Sequence, residues 1–189
     1  MTTIRDAIQI TPTLTSTTLL REGPGAFGSR RGRGPGKTHH GVDIVANQNS
    51  LDKNTYQVRA VAAGTIAYAQ LNEAAGTAYG YTVIIDHRNG FYTLYGHLAI
   101  NASAGLAVVG QSVAEGQVIG FLADLANGEK SSGRILPDVV QPHDRIQLHI
   151  ECIKTDSGRT STSTIGEIKR NCTLVNPTKR LLKLGYDSF

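Results

Sequence analysis

Residues 80–98 read GYTVIIDHRNGFYTLYGHL, and this stretch decides the fold of a chain of 189 residues. Its two halves, TVIIDH and FYTLYGHL, are rich in β-branched and aromatic residues, which favour β-strands. Between them stands Asn89-Gly90, a dipeptide typical of the type I′ turn in a two-residue hairpin. The stretch therefore predicts one antiparallel hairpin, with His97 close to the end of its second strand.

The segments on either side of this hairpin also read as short strands and turns. Residues 56–70 and 108–122 hold apolar runs broken by glycine, and residues 145–154, RIQLHIECIK, alternate as a strand does. One short stretch, VNPTKRLLKLG at 175–185, favours a helical turn. We predict a mainly β, antiparallel domain with long loops at 23–189, preceded by an N-terminal arm or strand at 1–22.

The composition limits the partners of this domain. A net charge of +4 suits an anionic partner such as a cell-wall polymer or a nucleic acid, although a soluble protein can carry it without one. The basic segment 23–38 contains a single aromatic residue, Phe27, so it lacks the stacking residues of a nucleic-acid site. We therefore expect no specific nucleic-acid partner. No apolar run is long enough for a transmembrane helix, so we expect no membrane partner.

The first twenty residues and the cysteines bear on the compartment. The start of the chain has no apolar stretch behind a basic one, so it does not read as a signal peptide, and we expect a protein made in the cytoplasm without one. Cys152 and Cys172 are too few for a disulfide framework, and the sequence leaves their pairing open.

Two segments offer side chains that a metal ion could use. A single histidine is usually a surface or core residue, so only a group of candidates carries weight. In HHGVD, His39 and Asp43 could supply two ligands if the chain bends between them, which Gly41 permits. In LHIEC, the alternation of a strand puts His149 and Glu151 on one face, and His149 could be the third ligand. Three protein ligands and one open position are what a catalytic zinc ion takes.

Four segments in this order resemble the zinc metallopeptidases of the lysostaphin and LytM type, peptidase family M23. They are FGSR at 27–30, HHGVD at 39–43, YGHL at 95–98 and QLHIE at 147–151. The linking strands are similar too, and the resemblance covers roughly residues 22–184. It implies an antiparallel β-sheet platform whose long loops form a groove over a zinc ion, and an endopeptidase that cuts peptide bonds in bacterial peptidoglycan.

The resemblance also implies roles for individual residues. It matches His39, Asp43 and His149 to the zinc ligands, whereas His40 falls at a variable position. It matches His97 to a catalytic histidine that steers the attacking water or the oxyanion. Arg30 would lie at the mouth of the groove, and with Tyr95 it is the candidate for contact with the substrate. Glu151 could orient one of the ligands from behind.

One position departs from the family pattern. Gln147 stands where the family has a second catalytic histidine, and an amide cannot serve as a general acid or base. It can still donate a hydrogen bond to an oxyanion, a contribution worth roughly two to three orders of magnitude in rate. His143, in the loop QPHDR, either replaces the missing imidazole or is a solvated surface residue. The segment between Gly120 and Gln147 is also longer than is usual in the family.

Two functions follow from these observations. The first is a zinc-dependent endopeptidase that lyses cell walls. The alternative is a catalytically weakened zinc-binding module with a structural or wall-binding role. Because no signal peptide is expected, the first would reach the wall as a phage-borne protein or through an injection machine, with phage-tail or injection-machine components as partners.

Overall fold

The computed structural model describes residues 17–19, 26–30, 38–46, 57–72, 79–88, 90–123, 147–155, 165, 172–178 and 187–188. Its strands are β1 (Thr17–Leu19), β2 (Val42–Ala46), β3 (Gln57–Arg59), β4 (Gly64–Asn72), β5 (Gly80–Asp86), β6 (Phe91–Leu98), β7 (Ser112–Val113), β8 (Val118–Phe121), β9 (Gln147–Thr155), β10 (Cys172–Val175) and β11 (Asp187–Ser188). A short helix, α1, spans Ile100–Ser103. Among the described residues, no helix has the length and apolar character to cross a membrane.

The predicted hairpin is present. Strands β5 and β6 pair antiparallel, with Ile84 opposite Leu94 and Ile85 opposite Thr93. Asn89 lies outside the described residues, so the type I′ turn stays a prediction. Most of the stretch predicted as a helical turn, 175–185, lies outside them as well.

Most of the strands form one large sheet. Its order is β11-β1-β2-β9-β6-β5-β4-β7, with β10 also paired to β9, and β3 and β8 make a second, two-stranded sheet. The pairings are antiparallel except for β1 with β11. The mainly β, antiparallel fold predicted from the sequence is confirmed. Strand β1, from the predicted N-terminal arm, joins the same sheet through β2, and the boundary at residue 22 stays a prediction.

The large sheet buries apolar side chains on both faces. Leu148 and Ile150 of β9 belong to one core cluster, which also holds Val58 and Ile119 of the two-stranded sheet. Ile153 belongs to a second cluster. Because side chains alternate along a strand, His149 and Glu151 share a face with Ile153. Two polar residues are therefore buried on the face of the second cluster, and this is where the candidate site lies.

Candidate metal centre

Strand register brings the first two candidate ligands together. Asp43 on β2 lies opposite His149 on β9, and Gly96 on β6 lies on the other side of His149. Residues directly opposite each other in an antiparallel pair point to the same face, with Cβ atoms about 4.5–5.5 Å apart. The sheet therefore sets Asp43 and His149 side by side, and on the third strand Gly96 has no side chain between His149 and Tyr79.

The segment before β2 positions His39. The backbone N–H of His39 donates to the Ser29 carbonyl at 2.7 Å, and the N–H of Gly28 donates to the His39 carbonyl at 2.8 Å. The ring is held as well, since its Nδ1 lies 3.0 Å from the carbonyl oxygen of Ala26. The backbone of residues 26–29 thus fixes both the chain position and the ring orientation of His39.

Gly41 is needed for a different reason from the one that the sequence indicated. It was expected to permit a bend, but its φ does not lie in the left-handed region that favours glycine. Instead, a Cβ at this position would lie 2.9 Å from the side chains of both His149 and Glu151, and would overlap the carbonyl oxygen of Ile150. Only glycine lets the chain between His39 and Asp43 pass this close to β9.

The three predicted ligands converge on one buried point. Nε2 of His39 lies 2.9 Å from Nδ1 of His149 and 3.2 Å from Oδ1 of Asp43, and Nδ1 of His149 lies 3.0 Å from the same oxygen. Their exposed fractions are 6%, 3% and 4% for His39, Asp43 and His149. In the part of the chain that the structure describes, these three are the group of side chains arranged to hold a metal ion.

On each histidine, the hydrogen bond of the ring nitrogen that faces away from the cluster (the outer nitrogen) determines whether the nitrogen that faces into it (the inner nitrogen) carries a hydrogen. A carbonyl oxygen only accepts, so Nδ1 of His39 carries the hydrogen that bonds to Ala26. On His149 the outer nitrogen is Nε2, which donates to Oε1 of Glu151 at 3.1 Å. Each neutral ring therefore turns a lone pair inward, and Asp43 adds a third acceptor. Three acceptors this close together require a proton or a cation between them.

The pKa shifts of Asp43 and His149 also indicate a site for a cation. Burial by itself raises the pKa of Asp43, but hydrogen bonds from His149 and His39 outweigh it and hold that pKa well below its ordinary value. Burial lowers the pKa of His149, but the hydrogen bonds to Asp43 and Glu151 outweigh it and raise that pKa. Both shifts reflect a buried site that favours positive charge at its centre.

This donor set fits a zinc ion. Two imidazole nitrogens and one carboxylate oxygen are typical zinc ligands, and ligands of a tetrahedral zinc ion lie about 3.3 Å apart, close to the distances between these three atoms. The two buried carboxylates, Asp43 and Glu151, together match the charge of a divalent cation. Each histidine also has the outer hydrogen-bond acceptor that metal-binding histidines usually have.

A β-bulge directs His97 into the site. Val83 lies opposite Tyr95 while Tyr81 lies opposite Leu98, so β6 contains one extra residue at this point. His97 absorbs it with a φ of 65°, in the left-handed region that non-glycine residues rarely adopt. Without the bulge, alternation would turn His97 away from His149. With it, the two rings meet edge to face at a centroid distance of 5.9 Å.

The structure places the other predicted site residues as follows. Gln147 lies opposite Val45, half-buried, and alternation puts it on the same face as His149. Arg30 is exposed and bridges Thr38, next to His39. His143 lies outside the described residues.

Tyr95 requires a correction. Its side chain is completely buried in the first core cluster, and its hydroxyl accepts a hydrogen bond from the Val61 N–H at 2.9 Å. It lies opposite Ile150, on the face turned away from His149. A side chain with no exposed surface cannot contact a substrate, so the predicted substrate-binding role of Tyr95 is wrong.

Tyr79 is a site residue that the sequence did not indicate. It lies just before β5, and its hydroxyl donates to Oε1 of Glu151 at 2.6 Å. Its ring lies 5.3 Å from that of His149. Burial and the neighbouring Glu151 carboxylate raise the pKa of Tyr79 far above its usual range, so it remains a donor. No periodic pattern marks this position, because Tyr79 precedes β5 and its contact with Glu151 of β9 is a tertiary one.

Comparison with known families places the chain in one of them. The profile of peptidase family M23 matches residues 37–157, more than half of the chain. The chain belongs to peptidase family M23. The matched range contains all three candidate ligands together with His97 and Gln147. A comparison of this M23 chain with curated protein sequences gives no match.

Several solved structures are similar to this M23 chain, and the first of the following three shares its fold. A protein of Ruminococcus gnavus assigned as glycyl-glycine endopeptidase lytM is 17% identical, with a TM-score of 0.61 over 96% of this chain and 63% of that one. Lysostaphin from Staphylococcus simulans is 20% identical, with a TM-score of 0.47 over 83% and 50%. A point mutant of the catalytic domain of the prophage-encoded M23 protein EnpA from Enterococcus faecalis is 21% identical, with a TM-score of 0.49 over 89% and 95%. The chain thus spans less than two thirds of the first of these proteins and half of the second.

Proposed function

We propose that this M23 chain is a zinc-dependent endopeptidase that hydrolyses peptide bonds in bacterial peptidoglycan. The observation that carries the proposal is the buried convergence of His39, Asp43 and His149 inside the family match, with both rings oriented by outer acceptors. The R. gnavus structure, assigned as a glycyl-glycine endopeptidase, supports this class of activity. The phage-borne or injected route to the wall stays a prediction from the sequence.

The metal would be held by Nε2 of His39, Oδ1 of Asp43 and Nδ1 of His149. Bound there, zinc supplies Lewis-acid chemistry: it polarises a scissile carbonyl and lowers the pKa of a water molecule towards about 7. Ala26 and Glu151 keep the two rings turned so that their lone pairs face the metal. Burial of the three ligands excludes competing water from their side of the site.

His97 is the proton-handling group of the proposal. Imidazole is the side chain that exchanges protons near neutral pH, so His97 can accept a proton from the attacking water and return it to the leaving amine. The bulge fixes the direction of its ring before a substrate arrives. Such preorganisation removes a reorganisation cost from the transition state.

In the proposed catalysis, Gln147 contributes less than His97. From the same face of β9 its side-chain amide can donate to the carbonyl oxygen as negative charge develops there, but it cannot store a proton. The replacement of an imidazole by this amide is the observation that favours the alternative function, a zinc-binding module with a structural or wall-binding role.

Digestion of purified peptidoglycan by the zinc-loaded protein tests the choice. We expect new fragments with free amino ends in the stem peptide or the cross-bridge, read by mass spectrometry, and none from the Asp43→Ala variant. If the wild-type protein binds zinc and sediments with peptidoglycan but releases no fragment, the endopeptidase proposal is wrong and the zinc-binding module is the function supported.

A further inference from the structure

Behind the candidate ligand His149 lies a chain of three buried side chains. The hydroxyl of Tyr79 donates to Oε1 of Glu151 at 2.6 Å, and Nε2 of His149 donates to the same oxygen at 3.1 Å. Glu151 has an exposed fraction of 0%. A carboxylate buried this deeply is stable only when hydrogen bonds compensate for its lost hydration, and the bond from Tyr79 is the shorter of these two.

The position of Tyr79 is itself well determined. Its carbonyl accepts a hydrogen bond from the N–H of His97 at 2.7 Å, and its ring packs in the second core cluster. A Cβ on Gly96 would lie 3.3 Å from that carbonyl and 3.6 Å from the Tyr79 ring, so the missing side chain of Gly96 lets Tyr79 lie over β6. Tyr79 therefore bonds through its hydroxyl to Glu151, the partner of the ligand His149, and through its backbone carbonyl to His97.

We propose that Tyr79 is a positioning residue of the metal centre, acting through Glu151. Its hydroxyl holds Oε1 of Glu151 where that oxygen receives the hydrogen on Nε2 of His149, which leaves Nδ1 of His149 turned to the metal. This inference rests on the zinc site of the proposed function and adds to it a residue outside the three ligands. Loss of the Tyr79 hydroxyl would remove the shorter of these two hydrogen bonds to Oε1 of Glu151 and so weaken the orientation of the His149 ring.

The proposal predicts a loss of metal affinity without a loss of ligands. Removing an outer hydrogen-bond partner of a metal-binding histidine typically lowers metal affinity about 10- to 100-fold. We expect a change of this size for Tyr79→Phe, which removes only the hydroxyl oxygen. Because Tyr79 acts through Glu151, the double variant Tyr79→Phe/Glu151→Gln should bind zinc no more weakly than Glu151→Gln alone.

The experiment is a competition of each protein with a chromophoric chelator for zinc, at fixed pH. It compares wild type, Tyr79→Phe, Glu151→Gln, the double variant and Tyr81→Phe, a control that removes the hydroxyl of a buried tyrosine in the other core cluster. Thermal melting of the metal-free proteins shows whether they fold. The proposal is supported if Tyr79→Phe binds zinc more weakly than wild type while Tyr81→Phe does not. The double variant must also bind zinc no more weakly than Glu151→Gln.

Equal zinc affinity of wild type and Tyr79→Phe overturns the inference and leaves the proposed function intact, as does a loss in the double variant equal to the product of the two single losses. A wild-type protein that binds no zinc overturns the proposed function instead. If Tyr79→Phe does not fold, the wild type supplies the test: the hydroxyl proton resonance of Tyr79 should shift when zinc binds, and an unchanged resonance overturns the inference.

Discussion

Asp43 and His149 lie directly opposite each other on neighbouring antiparallel strands, with Oδ1 of Asp43 at 3.0 Å from Nδ1 of His149. This contact between residues far apart in the sequence exists only in one register of β2 and β9. A slip of one residue would turn one of the two side chains to the opposite face of the sheet. The geometry of the metal centre is therefore determined by the strand pairing.

Gly41→Ala tests how closely that pairing is packed. The new methyl group would meet the carbonyl oxygen of Ile150 and lie within 2.9 Å of His149 and Glu151. We expect a loss of about 1–3 kcal/mol in the free energy of unfolding, as overpacking usually costs, together with weaker zinc binding. Denaturant titration measures the change in the free energy of unfolding. Gly116→Ala is the control, because its site is open and only its left-handed backbone is affected, so it should leave zinc binding unchanged.

Parts of this site could be predicted from the sequence because they depend on local patterns. Alternation along β9 placed His149 and Glu151 on one face, and residues 80–98 gave the hairpin. The pairing of β2 with β9 is a tertiary contact that no local pattern encodes, and that Asp43 and His149 serve one metal site was inferred only through the family resemblance. Tyr95 was wrongly assigned to substrate contact, since the sequence does not show the extra residue in β6 that turns Tyr95 and His97 to opposite faces.

The backbone at His97 yields a prediction about stability. In a left-handed conformation a Cβ costs about 1–2 kcal/mol, so His97→Gly should be more stable than His97→Ala by about 1 kcal/mol. This reverses the usual order in a strand, where glycine is the less stable of the two. Both variants should bind zinc and lose cleavage. Unfolding curves of the two decide the matter, and an alanine variant that is the more stable would contradict the bulge.

Gln147→His should raise the rate of peptidoglycan cleavage. It replaces an amide that can only donate a hydrogen bond with an imidazole that can also transfer a proton, and general acid–base catalysis typically contributes about 10²- to 10⁴-fold in rate. The pH–rate profile of the variant should also gain a titration that the wild type lacks. His143→Ala is the companion measurement. A large loss of cleavage rate in the wild-type background means that His143 already replaces the missing imidazole, and no change means that it is a surface residue.

A buried histidine away from the site predicts how stability depends on pH. Nδ1 of His87 lies 2.8 Å from the Ala63 carbonyl, Nε2 lies 2.8 Å from the Thr93 hydroxyl, and burial lowers the pKa of His87. Below about pH 6.5 His87 is protonated in the unfolded chain but stays neutral in the folded chain. The free energy of unfolding therefore falls as pH falls towards the lowered pKa of His87. Relative to His87→Gln, the wild type should lose up to about 1.4 kcal/mol per pH unit in that window. A difference between the two that is independent of pH would contradict this.

The measurement that tests the central claim most directly is anomalous diffraction at the zinc edge from crystals of the zinc-loaded protein. The account predicts one peak about 2.0–2.2 Å from each of Nε2 of His39, Oδ1 of Asp43 and Nδ1 of His149, the usual zinc–ligand distances. Crystals of Asp43→Ala grown in the same zinc solution should lack it. A wild-type crystal without a peak at these atoms, or with zinc on Nε2 of His149 instead, would contradict the assignment of this cluster as the metal centre.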